Sequence, residues 1–147
     1  MAKNQLETLL KFEKDKERAC IEQLQQAENE YQQNISRLQG VADYRLEYMR
    51  RLSQRAEQGL DSSTYSHYHA FIIKLDNASE QVEIAMRQAQ ALVEQCKAVW
   101  LKQRQKVQAV ESLKDKRNEK RLKLANKKEQ AMFDEIATQQ FVRRKIG

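Results

Sequence analysis

Apolar residues recur at alternating steps of four and three along most of this chain. Stepping from Leu10 gives positions 10, 14, 17, 21, 24, 28, 31, 35, 38, 42, 45, 49, 52 and 56. Ten of these fourteen are apolar, and the exceptions are Lys14, Glu17, Glu28 and Arg45. A repeat near 3.5 residues puts these side chains on one stripe of an α-helix, which is what a helix needs to hold a second helix along its length. The second half carries a cleaner stripe: Phe71, Leu75, Ala78, Val82, Ala85, Ala89, Leu92, Cys96 and Val99. Beyond Val99 the same register meets Gln103, Lys106, Arg117, Lys120 and Lys127. Trp100, Val107 and Val110 point instead to a shifted seam, as a stutter in the heptad produces.

Between the stripes lies one break, Gln58-Gly59-Leu60-Asp61-Ser62-Ser63-Thr64. Glycine adopts the left-handed conformation that ends helices, and a following apolar residue packs back on the last turn. Asp61, Ser62 and Ser63 are N-cap residues for a new helix. The sequence therefore predicts an all-α fold, a long antiparallel two-helix coiled coil. Its single domain spans 1–147, with a first helix over 5–58, a turn over 59–63 and a second helix over 64–142.

A turn this short makes the helices antiparallel, with facing residue numbers that sum to about 122. At 1.5 Å per residue the first helix is roughly 80 Å long and the second roughly 115–120 Å. The second helix therefore outruns the first from about residue 118. This overhang still carries apolar groups, among them Leu122, Leu124, Met132, Phe133, Ile136 and Phe141. A lone helix is marginal in water without tertiary contacts, so the overhang either frays or docks on another protein.

Composition supports a helical rod. There is no proline among 147 residues, only three glycines, and one-third of the residues are charged. No stretch approaches the roughly 18 apolar residues that cross a bilayer, and residues 1–11 lack the apolar core of a signal peptide. A cytoplasmic protein without direct membrane insertion is expected. Cys20 and Cys96 are offset by about 9 Å along the rod in this register, too far for a disulfide. His67 and His69 sit two apart, on different faces of a helix. With no phosphate loop, nucleophile elbow or metal-binding helix motif in view, neither enzymatic activity nor a cofactor or metal is expected.

Two features ask for a partner or a structural reason. Tyr44, Tyr48, Tyr65, Tyr68 and Phe71 gather near the turn. They either seal that end of the rod or form a contact patch of the kind enriched where proteins meet. From Lys97 to Lys128 twelve basic residues stand against three acidic ones, a local charge of +9 in a chain of net charge +6. That stretch is either a solvated face or an electrostatic footprint for an acidic surface. No base-reading motif accompanies it, so nucleic acid is not the expected partner.

The order Asp43-Tyr44-x-x-Glu47-Tyr48, Gly59-Leu60 at the turn, Tyr68-x-x-Phe71-Ile72-x-x-Leu75, then Trp100, Leu113, Arg117 and Asp134-Glu135, resembles the FliJ family of the flagellar export apparatus. The resemblance covers nearly the whole chain. It implies an antiparallel coiled coil similar to the central stalk of rotary ATPases. Such a stalk inserts into the hexameric ring of the flagellum-specific export ATPase and promotes its assembly and activity. The resemblance also implies contacts with the membrane-embedded export gate and with export chaperones, hence peripheral association with the cytoplasmic face of the inner membrane. The gate contact maps to Phe71, Leu75 and Ala78, which also belong to the expected seam.

The two readings meet at the free end, where Arg117, Lys120, Arg121, Lys123 and Phe133 are the expected contacts to the ATPase ring. Alternatives are the stalk of a virulence-type type III secretion system, a nucleic-acid-binding helical arm, or a generic coiled-coil scaffold that dimerises through the overhang.

Overall fold

The computed structural model describes residues 2–146, and side chains from Asn4 onward. Two helices account for it: α1, Ala2–Glu57, and α2, Ser62–Ile146. Among the described residues there is no strand. The second helix is the longer, and the two pack closely as a helical hairpin.

The turn follows from local chemistry. The Gln58 N–H donates to the Arg55 carbonyl (3.1 Å) and the Gly59 N–H to the Ala56 carbonyl (3.3 Å), tightening the last turn of α1. Gly59 then takes φ of 90°, a conformation open to glycine and costly for residues with a Cβ. Leu60 is half-buried behind it. Asp61 is the N-cap of α2. Its carboxylate accepts the Thr64 N–H at 3.0 Å, and its carbonyl accepts the Tyr65 N–H at 3.2 Å.

Hydrogen bonding from the Thr64 side chain, and then from the Thr64 N–H, holds the Asp61 carboxyl below its ordinary 3.8. A carboxyl with a lowered folded pKa binds fewer protons folded than unfolded, so its stabilisation is present above the ordinary value and lost as pH falls through and below it. Thermal melts from about pH 5 down to about pH 2 are expected to show a larger loss of stability for the wild type than for Asp61→Asn, which keeps an N-cap acceptor without a titrating group. Parallel pH profiles would remove this role.

The hairpin divides into two compact units. One spans residues 17–102 and includes the turn; the other joins residues up to 16 with those from 103 onward. In the turn unit, the inward positions of α1 are 17, 20, 24, 27, 31, 34, 38, 41, 45, 48 and 52. Of the eleven expected positions from Glu17 to Leu52, eight are half-buried, and Glu28, Ala42 and Met49 are exposed, their place taken by the residue before. Ala27 is buried in place of Glu28, Asn34 is buried beside the half-buried Ile35, and Tyr48 is inward while Met49 is 40% exposed. The cause is local ambiguity. A heptad separates its two interior positions by three and then four residues, or by four and then three. Neighbours such as Cys20/Ile21, Val41/Ala42 and Tyr48/Met49 are apolar under both choices.

On α2 the inward positions run 64, 68, 71, 75, 78, 82, 85, 89, 93, 96 and 100, with Ile72 buried beside Phe71. The steps from 85 to 89 and from 89 to 93 are both four, which is a stutter. The expected core residues Leu92 and Val99 therefore turn outward, 43% and 49% exposed, while Val93 is buried and Trp100 half-buried. The shifted seam exists, and it begins at Ala89 rather than beyond Val99. Cys20 and Cys96 are both free and half-buried at seam positions.

In the other unit the seam is short. Leu6, Leu10 and Val107 are buried, with Glu13, Val110 and Lys114 half-buried around them. Gln103 is buried too, and its amide donates to both the backbone carbonyl and the carboxylate of Glu13. This polar layer satisfies a buried amide that would otherwise cost desolvation energy. It also marks one register, because sliding either helix would strand the amide.

Candidate functional site

The first candidate region is the aromatic cluster beside the turn. Heptad spacing puts Tyr48 on α1 opposite Tyr68 and Phe71 on α2. Ring centroids lie 4.9 Å apart for Tyr48 and Tyr68 and 4.5 Å apart for Tyr48 and Phe71. Tyr44 meets Phe71 edge-on at 6.0 Å and stacks on Tyr48 at 6.3 Å. Tyr44 is nonetheless 50% exposed, and Phe71 is only half-buried. Arg55 lies over the Tyr68 ring, 5.8 Å from its centroid. Tyr65 and His69 form a separate, exposed stack. The cluster thus seals the hairpin and shows an aromatic edge to solvent at the same time.

Phe71, Leu75 and Ala78 fall on consecutive seam positions of α2, all half-buried. The buried residue beside them is Ile72, 7% exposed. Next to Leu75, Asp76 takes a hydrogen bond from Arg45 Nε across the helix pair at 2.6 Å. Both partners are substantially exposed, so this bridge contributes at most about 1 kcal/mol.

The second region is the far part of α2. All residues from 115 to 146 are exposed, with Leu122, Met132, Phe133 and Phe141 each 60% or more. Lys14 and Glu111 pair at 3.6 Å just before this stretch. Leu6 shares a small depression with Lys114, Arg117, Asn118 and Arg121 of α2. At roughly 100° per residue, Arg117, Lys120, Arg121 and Lys123 fall on one half of the helix surface. Phe133 falls on the other half, with Leu122, Ala125, Met132 and Ile136. The four cations are brought together, and Phe133 is not with them. Linear closeness in the sequence concealed this separation.

Among the described residues, no group of three or more His, Cys, Asp or Glu side chains converges on a metal-sized site. No helix among them is long and apolar enough to cross a membrane.

A two-helix coiled coil with an aromatic tip and a long exposed helical extension defines a helical-hairpin protein of the coiled-coil class. The family model described as flagellar FliJ protein matches residues 2–145, and the chain belongs to that family. It is 28% identical over 113 residues to the flagellar FliJ protein of Salmonella typhi, an alignment covering 77% of each chain. It is 26% identical over 113 residues to that of Escherichia coli strain K12, again covering 77% of each. No solved structure matches the chain.

Proposed function

We propose that this chain is a non-enzymatic part of the flagellar type III protein export apparatus. It acts as a central stalk in the ring of the export ATPase. Membership of the flagellar FliJ family supports the setting. The observation that carries the stalk role is the extension of α2, exposed on every side from residue 115 to Ile146. A helix held inside a ring is touched all round. Its basic half, with Arg117, Lys120, Arg121 and Lys123, would meet acidic ring surface. The apolar half around Phe133 would fill the pore lining opposite. Charge complementarity of this kind sets register and encounter rate more than affinity.

The aromatic tip supports a second contact, with the export gate, through the exposed edge of Phe71 and its neighbours Leu75 and Ala78. Export chaperones complete the partners in this reading, which places the chain in the cytoplasm at the inner membrane.

Mixing the chain with the flagellar export ATPase should raise both hexamer formation and hydrolysis. Reversing all four cations, Arg117→Glu, Lys120→Glu, Arg121→Glu and Lys123→Glu, should cut that stimulation at least tenfold, with the helical circular dichroism signal retained. Undiminished stimulation by this variant would reject the assignment of the ring contact.

A further inference from the structure

The unit formed by the two chain ends has two unlike sides. An antiparallel helix pair has a two-fold axis normal to its plane, so residues just after a seam position share one side on both helices, and residues just before share the other. The Lys14–Glu111 pair shows the first relation directly, since Lys14 follows Glu13 and Glu111 follows Val110. Asp115 lies on that side as well.

The opposite side carries the residues that precede the seam. On α1 these are Leu9 and Phe12, 42% and 54% exposed; on α2, Leu113, 47% exposed. Leu124 continues the row at 58% exposed, eleven residues or about three turns further on. The cations standing among these apolar groups are Lys16, Lys106, Lys116, Lys120 and Lys123. Lys16 lies over the Phe12 ring at 4.5 Å, and Leu113, Lys116, Arg117, Glu119, Lys120 and Lys123 line one shallow depression.

We propose that this side of the unit lies on an anionic lipid surface, with the apolar side chains in the headgroup layer and the lysines on the phosphates. Three features select that occupant. The face mixes exposed apolar residues with an excess of cations, with Glu119 the one carboxylate lining its depression, the pattern of an interfacial helix. Its cations are mostly lysines, point charges on flexible stems that suit a diffuse layer of phosphates. Lysine is depleted where proteins meet proteins, and arginine is enriched. A nucleic acid would satisfy the charge but offers little to Leu9, Phe12, Leu113 and Leu124.

The test is flotation of the full chain with vesicles of phosphatidylglycerol mixed with phosphatidylcholine, against vesicles of phosphatidylcholine alone. Binding is expected only to the anionic vesicles. Lys106→Glu with Lys116→Glu should weaken it at least tenfold. Phe12→Ser with Leu113→Ser changes no charge and removes exposed side chains only, and it should weaken binding several-fold with the melting curve retained. Failure of the folded chain to float with anionic vesicles would overturn the proposal. So would full binding by the Phe12/Leu113 variant together with equal retention on duplex DNA, which would mark a generic polyanion face. Lys120 and Lys123 belong to this face and also to the set assigned to the ring, so lipid and ring are alternative occupants of that stretch; neither variant alters the four ring cations, and the assay contains no ATPase. A failure here therefore leaves the stalk reading standing, and the reverse holds too.

Discussion

Val93→Asp is expected to lower the melting temperature by on the order of 10 °C, while Leu92→Asp shifts it by far less. Val93 is 6% exposed at an inward position of α2, and Leu92, one residue earlier, is 43% exposed. A carboxylate at 93 would be buried with no partner provided for it, a cost of about 3–4 kcal/mol. At 92 it would stand in water and lose only some helix propensity and a partial apolar contact, less than about 1 kcal/mol. Circular dichroism melts of the two variants, run in parallel, decide the matter. Equal melts, or a larger loss at 92, would restore the unbroken heptad and remove the stutter at Ala89.

This pair of residues also shows where the sequence stops being informative. An uninterrupted stripe from Phe71 to Val99 chooses Leu92 on arithmetic alone. What overrides it is the drift of a real α-helix against a seven-residue repeat, absorbed here by one eleven-residue step from Ala85 to Cys96. The sequence permits that step because Val93 stands beside Leu92 and Trp100 beside Val99. It does not require it, since only the facing helix decides which of two adjacent apolar side chains goes inward. By contrast, the chemistry of the turn is visible in its residues. Gly59 is the one glycine at a break, and Asp61 stands where a side-chain acceptor is needed for the next helix.

The candidate sites divide along the same line. The basic stretch is visible as a count of charges, and the aromatic group as a cluster of letters. Neither reading says which side of a helix each residue takes. Once the seam fixes the angular origin, Arg117, Lys120, Arg121 and Lys123 gather on one half of α2 and Phe133 leaves them. Leu9 and Phe12 drew no functional reading from the sequence, because a leucine and a phenylalanine near heptad positions look like core. Their exposure beside Leu10 and Glu13 is a property of the pair of helices.

The largest effect on partner binding is expected at Phe71, and its neighbour Ile72 supplies the control. Ile72 is 7% exposed and has almost no surface to offer a partner. Phe71 is half-buried, locked between Tyr44 and Tyr48, yet retains an open edge. Ile72→Ala should cost about 3 kcal/mol through lost transfer energy and a residual cavity. Phe71→Ala should cost a similar amount or slightly less, part of it from two ring contacts worth about 0.5–1.5 kcal/mol each. At a temperature where both variants remain folded, capture of the soluble part of the export-gate protein should fall at least tenfold for Phe71→Ala and stay near wild type for Ile72→Ala. Destabilisation alone cannot produce that split, because the buried residue costs the fold at least as much. Equal loss of capture in both would assign Phe71 to the fold and remove it from the gate contact. A half-buried aromatic can serve in both places only if its inner face holds the hairpin while its outer edge is left for a partner, and Phe71 packs on Tyr44 and Tyr48 while remaining half-buried.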